Sequence, residues 1–154
     1  MSILTRAEAQ TRAQLIDVER YVIDLDLTRG EEVFASTTTV RFSVKEGHEG
    51  RDGAATFVEL RPRELLRAEL DGVVLEPAAF EDGRLWLRDM AVGAHELRVV
   101  ARMPYSRVGE GMHRFTDPAD GRVYLYSMCF LANAPLVFAC FDQPDLKAVF
   151  EVAV

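Results

Sequence analysis

Apolar and polar residues alternate with a period of two through most of this chain, and the exception lies at its start. Thr5, Arg6, Ala7 and Glu8 have the form of a capping box, and the run rich in Ala, Gln and Arg that continues to Leu15 predicts a short amino-terminal helix. Beyond it Tyr21, Ile23, Leu25 and Leu27 alternate with Val22, Asp24 and Asp26. Phe34, Ser36, Thr38, Val40, Phe42 and Val44 then alternate with their neighbours as far as Lys45. Strands buried on one face give this pattern because successive side chains point to opposite sides. The polar residues 46–53 predict a loop, and residues 56–60 a strand that Pro62 ends. Asp71-Gly72, Asp82-Gly83 and Asp120-Gly121 tolerate positive φ and punctuate apolar runs at 65–70, 73–75 and 85–87. Residues 96–102, 123–128, 136–141 and 148–154 complete the predicted strands. Short strands at this spacing predict an all-β fold, mainly an antiparallel sheet or sandwich, in a single domain over residues 1–154.

Composition narrows the partners. With 154 residues, 49% of them hydrophobic, the chain can bury one core without staples. A formal net charge of -7 excludes a phosphate-tracking surface, so no nucleic-acid partner is expected. Cys129 and Cys140 do not make a disulfide framework, and the polar start lacks the apolar core of a signal peptide; the expected location is cytoplasmic. Residues 123–141 contain no charge and approach the length of a membrane span. Asn133 and Pro135 break the middle of that run, and its ends suit two buried strands joined by a loop, so no membrane association is expected.

Candidate chemistry is sparse. His48, His95 and His113 are scattered, whereas a catalytic zinc needs about three protein ligands at one point. His95-Glu96 lacks a second histidine four residues after the first, where Val99 stands, and its surroundings alternate like a strand. His95 therefore reads as a side chain at a strand start. Gly-x-Ser-x-Gly, phosphate-loop, dinucleotide and Cys-x-x-Cys motifs are all missing, and no cofactor or metal is expected. Both cysteines read as small buried hydrophobes and weak nucleophiles, because apolar burial raises a thiol pKa. Tyr124, Tyr126, Phe130, Phe138 and Phe141 read as core, with some available to line a pocket.

One extended pattern is specific. The run from Tyr105 to Phe115, then Asp117-Pro118, Asp120-Gly121 and Val123-Tyr124-Leu125-Tyr126, is similar in order and spacing to the first domain of the aminopeptidase N family of zinc peptidases. The similarity resumes at Val137-Phe138-Ala139-Cys140-Phe141-Asp142-Gln143-Pro144-Asp145-Leu146-Lys147-Ala148. Leu4-Thr5-Arg6-Ala7-Glu8-Ala9 resembles the opening of actinobacterial members. The resemblance implies a saddle of β-strands that packs on a separate domain, which holds the zinc, a His-Glu-x-x-His helix and a Gly-x-Met-Glu-Asn strand. None of those motifs occurs in these 154 residues, and the chain is expected to be a stand-alone homologue that is no peptidase by itself.

Two departures from the family pattern shape the functional expectation. Members usually carry Gln and, two positions later, an acidic residue on a loop that helps hold the substrate's α-amine; Met128 and Phe130 occupy those positions here. Neither can pair a desolvated ammonium, whose unpaired burial costs roughly several kcal/mol. Asn133, Pro135 and Leu136 replace nearby residues that are commonly charged. The family domain also continues past the region of residues 150–154, so an open edge is expected there, offering a surface for a homodimer or a protein partner. The leading expectation is a pocket for a hydrophobic small molecule, lined by Met128, Cys129, Phe130 and Leu131, with Tyr124, Tyr126 and Asp142 as polar orienters in a cofactor-free cyclisation or rearrangement. Asp142 has a simpler role open to it, capping the Asp-Gln-Pro turn. The alternatives are packing of the altered loop alone, a non-catalytic interaction module, and a separated amino-terminal domain of a zinc aminopeptidase.

Overall fold

The capping box closes as the sequence predicts. In the computed structural model, which describes residues 3–47 and 54–154, the Thr5 hydroxyl accepts from the Glu8 backbone N–H at 3.2 Å while the Glu8 carboxylate accepts from the Thr5 N–H at 2.8 Å. These bonds satisfy donors that a helix start leaves open. Helix α1 (Arg6–Leu15) then runs without a linker into strand β1 (Ile16–Asp26). Strands β2 (Val33–Val44), β3 (Ala54–Glu59), β4 (Glu64–Leu70) and β5 (Val73–Val74) follow, then β6 (Phe80–Glu81), β7 (Arg84–Met90) and β8 (Gly93–Pro104). The last three are β9 (Gly111–Thr116), β10 (Val123–Met128) and β11 (Val149–Ala153).

Among the described residues these strands form a six-stranded sheet in the order β11-β1-β2-β8-β4-β5, a three-stranded sheet β3-β7-β6 and a two-stranded ribbon β10-β9. All pairings are antiparallel except β1 with β11. The result is a saddle-like, predominantly antiparallel all-β sandwich with one short helix. Register explains the core. Tyr21, Val40 and Leu97 are aligned across β1, β2 and β8, as are Ile23, Thr38 and Val99, so one face of the large sheet is apolar and buried. Val58, Leu85 and Leu87 of the small sheet are buried in the same cluster.

Two β-turns match their residues closely. Asp71 and Gly72 have φ of 52° and 78°, and Asp82 and Gly83 have 49° and 81°, the left-handed pairs that tight hairpins require. The sequence reading misses other features. Ile16 to Arg20 belong to β1, but a bulge between Val18 and Arg20 breaks the period of two there. The strands β6 and β9 were also outside the expected set.

Residues 123–141 depart most from expectation. They do not form two buried strands joined by a loop. β10 is a strand, but it pairs only with β9, so no third strand or second layer covers it and its residues are largely exposed. Residues 136–141 are not a strand: Pro135 starts a single 3-10 turn (Ala134–Leu136), and only Cys140 bridges to Glu59. Val137, Ala139, Cys140 and Phe141 are nevertheless buried, through side-chain packing and not through a sheet. Among the described residues no helix is long and apolar enough to cross a membrane. His48 lies outside the described residues.

Candidate functional site

The segment after β10 is held by a set of specific anchors. Gly111 has φ of 60°, and a side-chain carbon there would lie 2.7 Å from the Leu136 Cβ, so glycine allows β9 to approach the 3-10 turn. The Arg61 N–H donates to the Pro135 carbonyl at 2.8 Å, and Glu59 and Cys140 exchange backbone bonds at 2.8 and 3.1 Å. The Phe141 N–H donates to the buried Tyr21 hydroxyl at 3.1 Å. Gln143 Nε2 donates to the Ala9 carbonyl at 2.9 Å, tying the segment to α1.

A buried arginine sits behind these anchors. Arg12, on the inner face of α1, is 2% exposed, and its Nη2 donates to Glu59 Oε1 at 3.0 Å. Its guanidinium also lies 4.3 Å from the Phe57 ring and 5.6 Å from the Phe141 ring. Arg12 Nε and Nη1 and Gln143 Oε1 are buried with no hydrogen-bond partner among the described residues. The second oxygen of Glu59 accepts from the Asp142 N–H at 3.1 Å.

In front of Glu59 opens a cavity of about 740 Å³, within the size range of small-molecule sites. Ile3, Leu4, Phe130, Leu131, Pro135 and Pro144 provide apolar wall, and Glu59, Arg61, Asp82 and Asp142 provide the charged groups. Cys129, Phe130, Leu131 and Asp142 of the predicted set are therefore brought together. Met128, Tyr124 and Tyr126 are not part of the wall. Met128 Sδ instead accepts from Asn133 Nδ2 at 3.8 Å, the Tyr124 hydroxyl donates to Asp120 Oδ2 at 2.7 Å, and the Tyr126 ring lies 4.9 Å from that of His113.

The cysteines differ from each other. Cys140 is buried as expected, but Cys129 is exposed, in the loop that follows the uncovered strand β10. Loss of water at the cavity wall still pushes the Cys129 thiol above its ordinary value, and full burial pushes Cys140 well above it. Neither is primed as a nucleophile. Asp142 does not cap its turn: its carboxyl oxygens accept no hydrogen bond from any described residue, and the turn closes through the Gln143 N–H on the Phe141 carbonyl. Burial first and the charge of Glu59 second raise the Asp142 carboxyl, with Arg61 and Arg12 opposing. His95 sits near the start of β8, its nitrogens 2.7 Å from Asp71 Oδ2 and 2.7 Å from the Ala91 carbonyl. No three His, Cys, Asp or Glu side chains among the described residues converge as a metal would require, so the zinc of the peptidases has no fitting donor set here.

Sequence reasoning missed Glu59, Arg61 and Asp82. They lie more than 45 residues before the loop they face in the chain, within a strand end and a turn that show only secondary-structure signals.

No family model matches the chain. Aminopeptidase N of Streptomyces lividans is 45% identical over 154 residues, covering 98% of this chain and 17% of that protein. The chain resembles the N-terminal β-domain of the aminopeptidase N family. A crystal structure of Legionella pneumophila aminopeptidase A in complex with aspartic acid superposes with a TM-score of 0.72 at 10% identity, over 89% of this chain and 15% of that one. At that identity the likeness shows a shared fold alone. The chain thus spans about a sixth of the length of the proteins it matches.

Proposed function

We propose that this chain is a non-catalytic β-domain of the aminopeptidase N type that works by packing β10 and the 129–131 loop against a peptidase-type catalytic domain. The observation that carries this reading is the concentration of exposed apolar side chains on one arm. Tyr126, Phe130 and Leu131 are 52%, 72% and 76% exposed, and Phe115, Val123 and Tyr124 are exposed beside them. Soluble monomers seldom leave such groups together in water unless another surface covers them. The open edge of β11, with Val149, Phe150 and Val152 exposed, is a second contact surface for a partner or a second copy. Met128 and Phe130 supply no acceptor for an α-amine, so the docked domain contributes shape and not substrate charge.

A chimaera tests this directly, with the chain replacing the matching segment of the Streptomyces lividans aminopeptidase N. Residues 123–131 should become resistant to proteolysis and hydrogen exchange relative to the isolated chain. Met128→Gln together with Phe130→Glu in the chimaera should raise its aminopeptidase turnover. An arm as labile in the chimaera as in isolation would overturn the docking role.

A second reading is favoured by the cavity of about 740 Å³, which joins Cys129, Phe130 and Leu131 to Asp142. It would hold a hydrophobic small molecule, preorganised for cyclisation or rearrangement, with Asp142 as the orienting group. Native mass spectrometry tests it: a retained molecule lost in Phe130→Glu supports it, and a ligand-free spectrum from the producing host opposes it.

A further inference from the structure

The β9–β10 ribbon leaves one strand edge bare, and its register says which backbone groups lie there. The Asp117 N–H donates to the Arg122 carbonyl at 2.9 Å, and Tyr124 opposite Phe115 and Tyr126 opposite His113 follow in the same register. Tyr124, Tyr126 and Met128 therefore turn their N–H and C=O groups toward β9. The far side of β9 agrees: the Met112 carbonyl accepts from the Ser106 N–H at 2.7 Å, and the Arg114 N–H donates to the Ser106 carbonyl at 3.0 Å. Their partners in β10, Ser127 and Leu125, together with Val123, turn their backbone groups the other way, to an edge that no described strand meets.

Nothing on that edge discourages pairing. β10 has no charged residue, no proline and no bulge, the devices that usually protect an exposed edge. It is also complementary to itself. With two copies antiparallel about a two-fold axis at Leu125, Val123 of one exchanges backbone bonds with Ser127 of the other, and Leu125 with Leu125. Tyr124 then lies opposite Tyr126 of the second copy in a close, non-hydrogen-bonded pair, which joins the Phe115-Tyr124 row of one ribbon to the Tyr126-His113 row of the other. The charges at the hairpin tip, Asp117, Asp120 and Arg122, lie toward the uncharged 128–133 end of the second copy and away from their own counterparts. The β11 edge differs. Glu151 stands at its midpoint, so the same symmetry centred there sets two carboxylates opposite each other.

We propose that the free edge of β10 pairs with β10 of a second copy of this chain, antiparallel and centred on Leu125, so that the two ribbons form one continuous sheet. Val123, Tyr124, Leu125 and Tyr126, all exposed in the single chain, gain cover in the pair. This partner is independent of the catalytic-domain reading and takes the same edge, so the two occupants exclude each other. The comparison of the chimaera with the isolated chain is accordingly made at a dilution where the isolated chain is monomeric.

The test combines sedimentation of the full chain with a charge swap at the symmetry axis. The parent chain should show a reversible monomer–dimer equilibrium. Leu125→Lys and Leu125→Glu each set like charges opposite each other and should weaken self-association by about tenfold or more, whereas an equal mixture of the two should dimerise again. Leu125 is exposed in the single chain, so both substitutions leave the monomer's core untouched. Amide exchange in the parent chain tests the register without a substitution: with rising concentration it should slow more at Val123, Leu125 and Ser127 than at Tyr124 and Tyr126. A parent chain that stays monomeric would overturn the proposal and leave the catalytic-domain reading, which the chimaera tests, standing. Dimers that persist undiminished in both charged variants would place the contact elsewhere, on the β11 edge first. A mixture that stays monomeric, or exchange that slows equally along β10, would overturn the pairing centred on Leu125.

Discussion

Replacing Arg12 by methionine isolates an ion pair that joins the helix to the cavity wall. Arg12 is 2% exposed and its partner Glu59 is 14% exposed at the side chain, so water replaces the pair only in part when it is broken. The bond at 3.0 Å to a charged acceptor contributes about 1.5–3 kcal/mol, and the guanidinium over Phe57 at 4.3 Å adds about 1 kcal/mol. Removing one partner also strands a carboxylate, which brings the usual total to about 3–5 kcal/mol. Arg12 Nε and Nη1 have no hydrogen-bond partner among the described residues, and methionine removes that cost while keeping helix propensity and volume, so the lower end applies. We expect Arg12→Met to cost about 3 kcal/mol, a fall in Tm of roughly 6–12 °C for a chain of this size. Adding Glu59→Gln, which keeps an acceptor for the Asp142 N–H, should restore about 2 kcal/mol. Urea melts of the four proteins in the cycle measure both numbers. A single variant within about 1 kcal/mol of the parent, or simple additivity in the double variant, would refute a buried pair with this energetic role.

Gly111→Ala should destabilise by about 2 kcal/mol or more, since it meets both positive φ and the Leu136 Cβ at 2.7 Å. Gly121→Ala, with φ of 70° and open space around it, should cost only about 1 kcal/mol, and equal costs in thermal melts would discount the close approach. Tyr21→Phe leaves the buried Phe141 N–H without its acceptor and should cost about 1–2 kcal/mol, measurable by denaturant titration; a neutral effect would mean that water reaches that amide. The Arg84 side chain, then the Thr5 backbone N–H, hold the Glu8 carboxyl down at about 2, against an ordinary value of 4.5. Because the folded value is the lower one, Glu8 adds stability above about pH 4.5 that is lost as the pH falls through about 2. Glu8→Gln should flatten the acid side of the stability profile in that window, and superimposable profiles would contradict the assignment.

The sequence by itself determined the local elements. A capping box fixes the helix start because Thr5 and Glu8 can satisfy each other's backbone donors, and Asp-Gly pairs fix two hairpins because both residues accept positive φ. Alternation from Phe34 to Val44 determined which face of β2 is buried, since one period sets every side chain of a strand. The family resemblance was equally legible, in the spacing from Tyr105 to Ala148. Tertiary structure alone decided the rest. The uncharged run at 123–141 looked buried because hydrophobicity reports a preference and not a neighbour; β10 has a single pairing partner, so its aromatic residues face water. Val137, Ala139, Cys140 and Phe141 are buried without forming a strand, in a segment held by Tyr21, Glu59 and Arg61 from distant parts of the chain. The cavity likewise joins Asp142 to Glu59, Arg61 and Asp82, none of which stands out in sequence. These charged groups converge only in space, and only the fold brings them within reach of one another.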